Sequence, residues 1–190
     1  RMYIGLQDMF KIGIGPSSSH TVGPMRAARR FVMGLPENSL GEVQRVQVEL
    51  FGSLAHTGHG HGTDLAILMG LCGEVPDSVD TSSIAQRVAT IHRECRLTLL
   101  GQHEVPFDMA RDLLFNRTDE LPVHTNGMRF QAWNADAELL DSRELYSVGG
   151  GFVVDADEHF VGSGRGTEVS VPFPFTTMSE LLELARKQNR

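Results

Sequence analysis

Gly13-Ile14-Gly15-Pro16-Ser17-Ser18-Ser19-His20-Thr21-Val22-Gly23-Pro24 is a hydroxyl-rich stretch of small residues that empties straight into a helical pattern. Pro24 suits the first position of a helix, because the amide it lacks would be unpaired there and its φ is already helical. Met25, Ala28, Val32 and Leu35 recur at helical spacing as one buried stripe, Arg26, Arg29 and Arg30 fall off it, and Gly34 with Pro36 supplies a stop. The expectation is a loop at the positive end of a helix over 24–33. Unpaired amides at a helix start, three consecutive serine hydroxyls and glycines that admit a ligand to the backbone make a receptor for a carboxylate or phosphate. His20 would stand within reach of whatever is held. A simpler reading, in which Ser and Thr only cap the helix and fill a turn, accounts for the same residues.

Upstream, Tyr3, Ile4, Leu6, Met9, Phe10 and Ile12 suggest a short extended start and a turn of helix. Downstream, residues 43–51 alternate apolar and polar, with Val46, Val48 and Leu50 on one face, as a half-buried strand should. That strand runs into Gly52-Ser53-Leu54-Ala55-His56-Thr57-Gly58-His59-Gly60-His61-Gly62-Thr63-Asp64, which reads as a second loop of glycine, hydroxyl and histidine. A mostly buried helix over 65–72 follows, capped by Thr63 or Asp64. The repeat of the same chemistry suggests two loops that face each other.

Further on, 82–95 reads as a helix capped by Thr81 or Ser82, with Ile84, Val88, Ile91 and Cys95 on one side. Residues 96–100 read as strand, and Pro106-Phe107-Asp108 as the start of a helix ending at Asn116. From Pro122 the pattern changes to strands at 128–133, 144–148 and 152–154. Asn126-Gly127 is a hairpin signal. Gly149-Gly150-Gly151 is either a hairpin turn or a place where a backbone comes very close to something. Residues 162–175 have the composition of a connector, and 178–187 form a charged helix with Leu181, Leu184 and Ala185 for packing. The fold class expected is α+β, with helices packed on a mixed, mainly antiparallel sheet.

The 190 residues, 41% hydrophobic and 22% charged, suit one ordinary soluble globular domain, or one domain plus a tail. A net charge of −7 argues against nucleic acid and anionic membrane as partners. No run approaches the length of a membrane span, and the start carries no signal pattern, so the cytoplasm is the expected compartment. Cys72 and Cys95 are too few for a cluster or zinc ribbon and each lies on an apolar stretch, so both are expected as buried free thiols.

His56, His59 and His61 with Asp64 invite a metal-hydrolase reading, but the carboxylate and a third ligand are not at the spacing such loops use. In a second reading His59 and His61 belong to a polar active-site wall that supplies a hydrogen bond or a proton near neutral pH. In a third the histidines decorate a glycine-rich surface loop.

Residues 10–28, followed by Gly58-His59-Gly60-His61-Gly62-Thr63-Asp64, Asn126-Gly127-Met128 and Ser147-Val148-Gly149-Gly150-Gly151-Phe152, closely resemble the N-terminal or β part of the bacterial iron-sulfur L-serine dehydratases. The resemblance implies conversion of L-serine to pyruvate and ammonia with a [4Fe-4S] cluster whose ligands lie outside this chain, in a catalytic α domain. It implies a β domain over 1–161, then a connector and helix over 162–190 leading to that α domain. It also implies likeness to the allosteric substrate-binding domain of some phosphoglycerate dehydrogenases, with a homodimer and a regulatory role. On this view Ser17, Ser18, Ser19, Thr21 and the backbone through Gly23 hold the substrate carboxylate or close the cluster pocket. His20 and His61 orient substrate or move a proton, His59, Thr63 and Asp64 shape the second wall, and His124 joins it or serves a turn. The alternative is a stand-alone regulatory module that binds serine or another small carboxylate.

Overall fold

The computed structural model describes residues 13–37, 39–156, 175 and 177–188. The expectations for 3–12, and for the connector apart from Phe175, lie outside them. A five-stranded sheet has the order β4-β1-β5-β6-β7, with β1 Arg45–Phe51, β4 Leu113–Asn116, β5 Gly127–Trp133, β6 Leu139–Ser147 and β7 Val153–Asp155. Only β1 and β4 run parallel; the other three pairings are antiparallel, so the α+β, mainly antiparallel expectation holds. Val46, Val48 and Leu50 of β1 are buried on one face as the alternation requires.

That face is covered by α1, Gly23–Met33, and by α3, Thr63–Leu71. Phe31 of α1 stacks on Phe130 of β5 with ring centroids 5.4 Å apart. Burying rings of this size contributes about 2–3 kcal/mol each, so the stripe read from 25, 28 and 32 anchors the helix to the sheet. α4, Thr81–Glu94, and the hairpin of β2 Arg96–Leu99 and β3 His103–Pro106 close the other end of the core through Ile84, Ile91, Leu97, Leu99 and Val105. α6, Met178–Gln188, is amphipathic, with Leu181 and Leu184 half-buried and Ala185 exposed.

Several local expectations are corrected. The chain is already helical at Ser18, as a π-helical turn over Ser18–Val22 continuous with α1, so Pro24 lies inside the helical run. Residues 52–64 are not a loop: Gly52–His61 is helix α2, entered through Gly52 at φ 52° and left through Gly62 at φ 77°. Only a residue that tolerates left-handed backbone turns the chain so sharply out of β1 and then into α3. α3 is preceded by Gly62, and Thr63 does not cap it; Asp64 Oδ1 accepts from Leu65 N at 2.9 Å. α4 is capped by Asp80, which accepts from Ser82 N at 3.0 Å, rather than by Thr81 or Ser82.

The helix expected after Pro106 is one turn, α5 Met109–Asp112, and the chain then becomes β4 because Leu113–Phe115 can complete the open edge of β1. Buried Asp112, bonded by Arg45 and Arg111, pins that switch. Asn126-Gly127 is no hairpin turn. Gly127 opens β5, buried Asn126 donates from Nδ2 to Ser147 O at 3.1 Å, and the β5–β6 turn is built by Asn134, whose Oδ1 accepts from the amides of Asp136 and Glu138. Both thiols are free, but Cys95 is exposed and Cys72 half-buried, because 95 ends α4 in left-handed backbone instead of lying on its inner face.

Candidate functional site

The π-helical turn and the end of α2 face each other. The His20 and His61 rings lie 4.9 Å apart between centroids, tilted by 40°. Thr63 Oγ1 donates to His20 O at 2.7 Å and so ties the start of α3 to the serine turn. Thr21 Oγ1 donates to Ser17 O at 2.6 Å. Both threonines are buried and spend their hydroxyls on the main chain, which makes them braces of the cleft.

His20 is held at both ring nitrogens. Nδ1 lies 3.0 Å from Ser19 Oγ, with Ser17 Oγ at 3.5 Å, and Nε2 lies 3.0 Å from Thr57 Oγ1 and 3.2 Å from Ser53 Oγ. Thr57 Oγ1 donates to Ser53 O at 2.8 Å, so its hydroxyl proton is committed and it accepts from His20 Nε2–H. The neutral tautomer assigned by this network therefore carries its proton on Nε2, and Nδ1 accepts from Ser19. Burial first, and the charge of His61 second, hold the His20 imidazole below its ordinary value.

His61 differs. Its Nδ1–H donates to Thr57 O at 2.8 Å, one turn back along α2, and in the neutral ring that leaves Nε2 as an unprotonated nitrogen with no partner among the described residues.

The serine turn also offers donors. Thr21 N and Gly23 N are spent on Ser17 O and Ser18 O, so neither amide is an open donor. The earlier helix start moves the amides without an intrahelical acceptor to Ser18 and Ser19. Ser18 is half-buried, and among the described residues its hydroxyl alone of the three has no partner.

The remaining sequence-derived residues are placed apart from this pair. His59 Nδ1 lies 2.7 Å from Asp64 Oδ2, and its exposed ring meets Phe115 edge-on at 6.0 Å. His124 Nδ1 accepts from Asn126 N at 3.0 Å and closes a turn. His56 is exposed. No group of three or more His, Cys, Asp or Glu among the described residues is disposed to hold a metal ion, because His59 and His61 take separate partners around α2. Ser53 and Thr57 were not singled out in the sequence. The i, i+4 spacing of Thr57 and His61 points to them only once 52–61 is known to be helical.

A family model described as serine dehydratase beta chain matches residues 5–158. The chain belongs to the serine dehydratase beta-chain family. It is 50% identical over 189 residues to an L-serine dehydratase of Streptomyces coelicolor, covering 98% of this chain and 41% of that protein. It is 50% identical over 181 residues to L-serine dehydratase 1 of Escherichia coli, covering 94% and 39%. An L-serine dehydratase of Haemophilus influenzae is 41% identical over 182 residues, covering 95% and 39%. The chain thus spans about two fifths of the length of these relatives. In this serine dehydratase beta chain, the matched region contains both walls of the cleft.

A [4Fe-4S] cluster does not fit the thiols present. It requires three or four thiolates, and the chain has two, one exposed at the end of α4 and one half-buried beside Arg87. Burial pushes the Cys72 thiol up, away from the thiolate a ligand must be. Among the described residues no helix is long and apolar enough to cross a membrane.

Proposed function

We propose that this domain forms the substrate-holding wall of an L-serine dehydratase, which converts L-serine to pyruvate and ammonia. The observation that carries the reading is the cleft itself: a serine turn with open donors, a fully bonded imidazole, and 4.9 Å away a second imidazole with one unoccupied nitrogen. The names of the relatives support the substrate class, and the geometry of the cleft supports the roles that follow.

The Ser18 and Ser19 amides and the Ser18 hydroxyl hold the serine carboxylate, favoured by the positive end of the helical run. His61 Nε2 accepts the α-proton. The electron pair of the broken Cα–H bond forms the Cα=Cβ bond as the Cβ–O bond breaks. The resulting aminoacrylate takes a proton at Cβ to become an imine, which water hydrolyses to pyruvate and ammonia. His20 orients the ligand and keeps the two walls in register. Assistance to the departing hydroxyl comes from the α part of the enzyme, where the cluster and its cysteines belong on this reading.

Steady-state kinetics of the full-length enzyme with Ser18→Ala and His61→Ala test these roles. Ser18→Ala should raise KM for serine several-fold, and His61→Ala should collapse kcat. Normal kinetics in both variants would remove the cleft from the active site. Serine binding with normal turnover in His61→Ala would instead favour a regulatory serine-binding module.

A further inference from the structure

Two side-chain oxygens beside the serine turn are sealed from solvent and have no hydrogen-bond partner among the described residues: Asn126 Oδ1 and Ser147 Oγ. Asn126 immediately precedes β5, and Ser147 ends β6. Asn126 is 6% exposed and Ser147 is fully buried. Ser147 N donates to Asn126 O at 3.1 Å, Asn126 Nδ2 donates to Ser147 O at 3.1 Å, and Asn126 N donates to His124 Nδ1 at 3.0 Å. Every other polar atom of the two residues is thus engaged, and the pair is fixed in place.

The pair lies where the sheet meets both walls of the cleft. Ser147 Oγ rests against Gly23 so closely that a β-carbon there would collide with it, and Gly23 N donates to Ser18 O in the turn that carries His20. Thr125, the residue before Asn126, holds α2: it accepts from Ser53 N through its O at 2.9 Å and its Oγ1 at 3.1 Å, and Ser53 Oγ is 3.2 Å from His20 Nε2. A buried hydroxyl or amide oxygen that gives up water without a new partner loses that hydration outright, and native interiors keep few such atoms. The two oxygens are complementary, since Ser147 Oγ–H donates and Asn126 Oδ1 accepts. Yet neither reaches the other.

We propose that one internal water molecule bridges them beneath the start of α1, accepting from Ser147 Oγ–H and donating to Asn126 Oδ1. Buried waters make about three bonds to otherwise unpaired polar groups, and these two groups supply one donor and one acceptor. Both residues are neutral and neither bonds to a carboxylate, so an ammonium or metal cation would shed its hydration there with no opposite charge to offset the loss. The bridge gives a reason for a hydroxyl, and not a bare methyl group, at a fully buried position whose main chain is already paired. It does not depend on reading the cleft as a serine site.

A crystal structure of the full-length enzyme, at a resolution that shows ordered water, tests it directly. A density peak is expected within about 2.6–3.2 Å of both oxygens. No peak, a direct bond between the two side chains, or a side chain from elsewhere in the enzyme in that position overturns the proposal. Thermal unfolding of Ser147→Ala, Asn126→Ala and the double variant tests the sharing of one partner. Ser147→Ala should lower Tm by about 2–4 °C. The double variant should lose less than the sum of the two single losses, because the second substitution strips a bridge that the first has already broken. Additive losses overturn the proposal. If Asn126→Ala does not fold, the density at the unsubstituted site decides.

Discussion

The two walls of the cleft use the same side chain in opposite ways. On the serine turn, His20 has hydroxyl partners at both nitrogens, from Ser19 on one side and from Ser53 and Thr57 on the other. On α2, His61 has one partner, the Thr57 carbonyl, and its second nitrogen is open. Thr57 touches both rings, accepting from one through its hydroxyl and from the other through its carbonyl. The difference teaches that imidazole chemistry here is set by which hydrogen bonds are already taken: a doubly bonded ring positions, and a singly bonded ring can accept a proton.

The largest test of that contrast is His61→Gln in the full-length enzyme, expected to lower kcat by about 10²–10⁴ with a native circular dichroism spectrum. His20→Gln should cost less in kcat and more in KM. The reverse order would invert the assignment. Next, Gly58→Ala places a β-carbon 2.9 Å from Thr63 Oγ1, the group that braces the His20 carbonyl. It should destabilise by about 1–3 kcal/mol in urea unfolding. Thr57→Val removes the nearer of the two hydroxyl partners of His20 Nε2 but keeps the carbonyl that holds His61. A loss of about 1 kcal/mol in stability is expected, with a smaller kcat effect than His61→Gln; an equal effect would mean that His20 does more than position.

Gly60→Ala sharpens the same wall from the other side. Nothing lies within 4 Å of the added carbon, so the helical gain of up to about 1 kcal/mol should appear as a raised Tm. The smallest effect is a pH dependence. Burial, and then His61, hold His20 below 6.5. The unfolded chain therefore takes up this proton first, and stability should fall as pH drops below 6.5, levelling off once pH is under the folded value. Urea midpoints between about pH 7.5 and 5 would show the fall, reduced but not abolished in His61→Gln because burial is the larger cause; a rise on acidification would contradict it.

What could be read ahead of the structure follows from where the decisive interaction is local. The alternation of Val46, Val48 and Leu50 and the stripe of Met25, Ala28 and Val32 are periodicities of the elements themselves, and both are buried as expected. The meeting of His20 and His61 was suggested by two stretches of similar chemistry, although one of them is a helix. That helix was hidden because Gly52, Gly58, Gly60 and Gly62 look like loop residues. Two of them turn the chain at its ends, one makes room for Thr63, and one faces open space. Strand β4 was hidden for a different reason: Leu113–Phe115 carry helical spacing, and only the free edge of β1, far away in sequence, makes them extended. Ser53 and Thr57 became visible as partners of His20 only through that fold.

The β6–β7 turn carries a consequence for what the protein can tolerate. Gly149, Gly150 and Gly151 all have positive φ, a methyl group at 151 would stand 2.6 Å from Val22 Cγ1, and Arg26 Nη1 donates to the carbonyl of the same residue. Hairpin tips ordinarily accept a longer side chain or an inserted residue at little cost. Here the tip abuts Val22 and Arg26 at the start of the helical run that carries the serines and His20. A methyl group at 151 would therefore have to displace Val22, in the same helical turn as His20, without touching His20 or the serines.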